Sequence, residues 1–118
     1  MSRLERDRAA ALAASKASQA KAKRENAKIR HTPGPWVARR LEKEGFCYED
    51  VMDECGYYIA TCHEGVRGER NADANARLIA ASPDLVFQLL SAANYIDALG
   101  GDSKSYRAAI ARATGETA

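Results

Sequence analysis

Glycine and proline are missing from residues 2–29, and large apolar side chains are reduced there to Leu4, Leu12 and Ile29. Nothing in that stretch breaks a helix, and its Ala, Lys, Arg and Ser content favours one. Without an apolar stripe, however, such a helix is polar almost all round, so it is expected to be exposed or bound to a partner. Its lack of aromatics removes the platform on which single-stranded bases stack. Cysteine is scarce as well: Cys47, Cys55 and Cys62 are odd in number and form no CxxC pair. Together with His63 they lack the tight spacing of a zinc site, so free thiols in a reducing compartment are expected, with no metal and no cofactor. No segment is long and apolar enough to span a bilayer. The Arg-, Ala- and Ser-rich start is faintly like a transit peptide, but Glu5 and Asp7 argue against one. The expected location is therefore the cytoplasm.

What the chain does have is an uneven charge. Residues 1–30 hold nine Lys/Arg against Glu5, Asp7 and Glu25, a net of +6. The remaining 88 residues hold nine against thirteen Asp/Glu, a net of −4, so the overall +2 hides the split. Such an asymmetry marks a basic arm that meets an acidic partner: nucleic acid, an acidic protein face, or an acidic patch on another copy of the chain.

At 118 residues the chain supports one modest domain. We expect residues 1–30 as a basic helical arm and residues 31–118 as a small domain. His31-Thr-Pro-Gly-Pro-Trp36 ends the arm, since two prolines around a glycine fix a turn. Strands are expected at about Trp36–Arg40, Phe46–Met52 and Tyr57–His63, where aromatic and β-branched residues alternate and the connections are short enough for an antiparallel meander. The register places Cys47 roughly opposite His63. The densest apolar stretch follows, Asn71 to Leu99. Ser82-Pro83-Asp84 reads as the cap and first turn of a new helix. Beyond it Leu85, Val86, Leu89, Leu90, Ala93, Ile96 and Leu99 recur at core-facing spacing. A last helix starts at Asp102 or Ser103, with Tyr106, Ala109, Ile110 and Ala113 on one face, and stops at Gly115. The expected fold class is α+β: a small three-stranded antiparallel sheet packed by two or three C-terminal helices, with a projecting basic N-terminal helix. Trp36 is expected to anchor the strands over those helices.

Thr32-Pro-Gly-Pro-Trp36, the Gly56-Tyr-Tyr-Ile-Ala60 strand and Asn75-Ala-Arg-Leu-Ile-Ala-Ala-Ser-Pro-Asp-Leu85 together resemble a recurrent type of small phage- and prophage-encoded protein. In that type a TPGPW start precedes a few strands and an NARLIAAAPDLL helix. The resemblance covers about residues 31–92. It departs at Ser82, where alanine is usual, and at Val86-Phe87. It implies an accessory phage protein, a class that includes inhibitors of host processes and of bacterial immunity such as anti-CRISPR proteins and nucleotide sponges. No catalytic residues transfer with it.

Two stretches carry candidate chemistry. Gly65, Arg67, Gly68, Arg70 and Asn71 combine close backbone approach, cationic charge and the start of a helix, where free N–H groups attract anions; this is a candidate phosphate site, though not a P-loop. Lys16, Lys21, Lys23, Arg24, Lys28 and Arg30 could line the arm and form a partner-binding surface, or neutralise phosphates. The acidic run Glu42, Glu44, Glu49, Asp50, Asp53 and Glu54 shows no buried setting that would separate carboxylate pKa values, so no general acid or base is nominated. The expectation is a non-enzymatic protein that binds and modulates a host or bacterial-defence protein. The alternative is a module binding a nucleotide or nucleic-acid phosphate. A homo-oligomer is possible, and no membrane partner is expected.

Overall fold

The computed structural model describes residues 1–43, 46–63 and 71–116. In chain order they form α1 (Arg3–Asn26), β1 (Trp36–Lys43), β2 (Phe46–Asp53), β3 (Tyr58–His63), α2 (Asn71–Ala98) and α3 (Lys104–Thr114). The α+β class is as expected: three helices and one antiparallel sheet in the order β1-β2-β3. By compactness the chain forms two units, residues 1–31 with 86–118, and residues 32–85. The expected arm thus groups with the last 33 residues.

The sheet unit is built on local chemistry. The β2–β3 turn is held by the Asp53 carboxylate, whose Oδ1 accepts the N–H groups of Cys55 and Tyr57, both at 2.9 Å. Gly56 sits there at φ +84°, a conformation open to glycine at little cost. Trp36 is opposite Asp53 on β2, and Val51, fully buried at the middle of β2, lies between Ala38 and Ala60. The first half of α2 buries Ala72, Ala76 and Pro83, a stripe at helical spacing made of small residues and one ring. Trp36 is half-buried, and its indole N–H donates to the Thr32 carbonyl at 3.1 Å, which closes the proline-rich turn on itself.

Ser82 and Pro83 do not start a new helix. α2 runs unbroken through Pro83, and the Ser82 hydroxyl donates to the Leu78 carbonyl at 3.0 Å instead of capping. The proline removes only the N–H that would have reached Ile79. Its ring is received by Gly34: a Cβ on Gly34 would stand 2.9 Å from Pro83 Cβ. Packing against the turn outweighs the local preference for a break. Leu85 and Leu99, placed on the apolar face by periodicity, are exposed, and so is Leu78. In the register His63 is opposite Tyr48, one residue from the expected Cys47, and their rings lie 6.1 Å apart.

The helical unit has a small core of Ala22, Leu90, Ala93 and Ile110, with Ile29, Val86, Phe87 and Leu89 against it. The N-cap of α1 is Ser2, whose hydroxyl accepts the Glu5 N–H at 3.1 Å. Gly101 follows α2 closely: a Cβ there would meet Ile96 Cγ2 at 2.9 Å. α3 ends on Gly115 in the left-handed region.

Replacing Gly34 by alanine should lower stability by about 1–3 kcal/mol through overpacking against Pro83. The midpoint of urea unfolding would fall, and an unchanged midpoint would show that Gly34 and Pro83 do not meet.

Candidate partner-binding surface

The helix α1 has two faces, and neither is apolar in the usual sense. Ala14, Ser15, Ser18, Ala22, Glu25 and Asn26 turn inward, with Ile29 just beyond the helix. These positions recur every three or four residues, so small side chains form one stripe that lets another helix come close. Sequence reasoning missed it because it looked for leucines; alanine and serine at positions 14, 18 and 22 were the available signal. At about 100° per residue, Lys16 and Arg24 project opposite that stripe, and Lys23 and Lys21 lie on its two flanks.

Packing of α1 rests on one amide. Asn94 on α2 is 5% exposed. Its Nδ2 donates to the Ser18 carbonyl at 3.3 Å and to Glu25 Oε1 at 2.8 Å. Its Oδ1 accepts from Arg107 on α3 at 3.0 Å. Arg107 also pairs with Asp97, and Ser103 donates to Asp97 Oδ1 at 2.6 Å. All three helices are therefore joined through one chain of polar contacts. The Ser103 hydrogen bond, then that from Arg107, holds the Asp97 carboxyl below its ordinary value, with Lys21 adding a smaller attraction. Ser103 precedes α3 as expected, but its hydroxyl serves Asp97, and it is Asp102 that accepts the Lys104 N–H.

The six arm residues named from the sequence, Lys16, Lys21, Lys23, Arg24, Lys28 and Arg30, are all exposed and make no ion pair among the described residues. Residues 1–13 are exposed on every side, with Leu4 and Leu12 at 59% and 57%. Ile29, by contrast, packs on the core. Of the candidate phosphate loop, Gly65, Arg67, Gly68 and Arg70 lie outside the described residues, and Asn71 opens α2 on the surface.

The acidic run divides in a way the sequence reading did not anticipate. Glu49 and Asp50 are each 4% exposed. Glu49 lies 3.9 Å from Arg40 Nη1, and Asp50 accepts from Thr61 Oγ1 at 2.8 Å. Asp53 makes the turn. Cys55 and Cys62 are free thiols, and no three potential metal ligands meet among the described residues. No helix among these residues is long and apolar enough to cross a membrane.

Residues 26–117 match the family model described as Salmonella phage P22 protein Y8K6. The chain belongs to that phage protein family. The match begins at the last residue of α1, so the family covers the sheet, α2 and α3, while nearly all of the basic helix precedes it. No curated protein and no solved structure matches the chain.

Two measurements probe the polar junction. Asn94→Ala should cost about 2–3 kcal/mol in chemical unfolding, because buried partners lose their hydrogen bonds. Asn94→Asp, nearly the same shape, should cost more at neutral pH by facing Glu25. For Asp97 the sign is that of a depressed carboxylate. Its contribution is present in full above the ordinary value of 3.8 and is lost as pH falls below that value through the lowered folded one. Thermal melts of wild type and Asp97→Asn should therefore converge on acidification and separate above that range.

Proposed function

We propose that this family member is a non-enzymatic phage accessory protein that acts in the host cytoplasm by binding and modulating a host or bacterial-defence protein. The outward face of α1 is the docking surface. One observation supports this above the others: six cations are exposed on and just after a helix whose opposite face is already packed, and they make no ion pair among the described residues. A net-positive face of this kind steers an acidic surface toward it and sets its orientation. Leu4 and Leu12, exposed on the uncovered first half of the same helix, supply apolar contact area to the partner. The reading needs no catalytic group, and the two buried carboxylates, Glu49 and Asp50, are accounted for by contacts within the sheet.

The alternative, a nucleic-acid or nucleotide phosphate-binding module, draws on the same cations. Lys21, Arg24 and Lys28 follow one another at spacings of three and four residues beside an open depression. The two differ in what they retain at high salt, since phosphate binding is lost steeply as counterions compete.

The deciding experiment compares the full chain with a variant carrying glutamate at positions 16, 21, 23, 24, 28 and 30. In pull-downs from phage-infected cells the wild type should retain a defined protein at stoichiometric amounts after nuclease treatment. The variant should lose it while keeping its helical circular dichroism and melting temperature. Retention of the same protein by the variant would sink the assignment of α1. Recovery of nucleic acid alone would favour the alternative.

A further inference from the structure

Beside the core of the helical unit lies a cleft of about 220 Å³ between α1 and α2, lined by Ser15, Ser18 and Gln19 on one side and Gln88, Ser91, Ala92 and Tyr95 on the other. Every one of these side chains is neutral, and all but Ala92 can donate or accept a hydrogen bond. Ser91 is the unusual member. It is 8% exposed, and its hydroxyl oxygen is buried without a hydrogen-bond partner. A helical hydroxyl with nothing else to bond commonly donates to the carbonyl four residues back. Ser18, Ser82 and Thr114 all do so here, to Ala14, Leu78 and Ile110 at 2.7, 3.0 and 2.8 Å. Ser91 does not, and a buried hydroxyl left unpaired is costly. Gln19 and Gln88, on the two walls, are exposed.

The occupant's chemistry follows from this lining. The volume corresponds to about seven waters at about 30 Å³ each, and falls below the about 300 Å³ at which drug-sized pockets begin. The cleft therefore suits a single small ring. A neutral wall with two carboxamides, serine hydroxyls and a tyrosine ring fits a planar heterocycle whose edge carries adjacent donors and acceptors. Along α1, Ser15, Gln19 and Lys23 are spaced by four residues, so each Cβ is about 5–6 Å from the next. The exposed Lys23 ammonium thus stands one turn beyond the wall, where a phosphate attached to such a ring would reach.

We propose that this cleft is a nucleotide site, with the base held by Gln19, Gln88, Ser91 and Tyr95 and the phosphate by Lys23. The exposed glutamine side chains swing aside to admit the base to Ser91. The site shares Lys23 with the docking face of α1 and otherwise stands without that face being a protein interface. Its α1 wall precedes residues 26–117, the part of the chain that matches the phage family.

The test is a titration of the full-length protein with the four common nucleoside monophosphates, their nucleosides, and a short single-stranded oligonucleotide, followed by NMR of the glutamine side-chain amides. At least one monophosphate should shift Gln19 and Gln88. Ser91→Ala should weaken that binding about tenfold while leaving the melting temperature unchanged or raised, as removal of an unpaired hydroxyl predicts. Lys23→Ala should reduce the monophosphate to the affinity of its nucleoside. Binding of the oligonucleotide at the same amides would identify a base within a strand as the source, and binding of monophosphates alone a free nucleotide. Absence of shifts at millimolar concentration of every probe, or binding that is indifferent to Ser91→Ala, would overturn the site. A marked fall in melting temperature for Ser91→Ala would overturn its premise that the hydroxyl is unpaired.

Discussion

The helical unit depends on the Asn94 amide. Apolar contact is non-directional, and α1 offers little of it: Ala22 reaches the core, and Ile29 joins it from just beyond the helix. A stripe of alanines and serines could slide along a neighbouring helix without much loss. An amide that must satisfy both its donor and its acceptor while buried cannot slide, since each displaced register leaves a polar group bare. By bonding the Ser18 carbonyl and Glu25 on one side and Arg107 on the other, Asn94 selects one position of α1 and one of α3.

That junction separates the two roles of the basic helix. Glu25, the one acid in the second half of α1, is half-buried and bonded to Asn94, while the fully exposed charges of that half are all cations. The match to the family begins at Asn26, so almost all of α1 lies before the matched residues.

In the sheet unit, half of the six-residue acidic run serves the structure. Asp53 replaces backbone partners in a tight turn, and Glu49 and Asp50 are enclosed beside Arg40 and Thr61. Of the rest of the run, Glu42 and Glu54 are exposed and Glu44 lies outside the described residues. Burial of two adjacent residues on one strand means that both faces of β2 are covered at that point, since neighbouring side chains point to opposite sides.

The sequence by itself determined the order of elements, because each is announced locally: absence of breakers for α1, the Pro-Gly-Pro turn, alternation for the strands, and Gly115 at the end of α3. It also determined which cations are available, as long charged side chains go to the surface wherever the helix turns them. Tertiary structure alone decided the rest. Pro83 is read locally as a break, yet Gly34 accepts its ring and the helix continues. Leu85 and Leu99 have core periodicity and remain exposed, whereas serine and alanine on α1 are buried. Which carboxylates become enclosed, and which hydroxyl is left without a partner, depends on residues as far apart in the chain as Ser18 and Asn94. Hydrogen bonds and close packing are made between elements, and no local pattern specifies them.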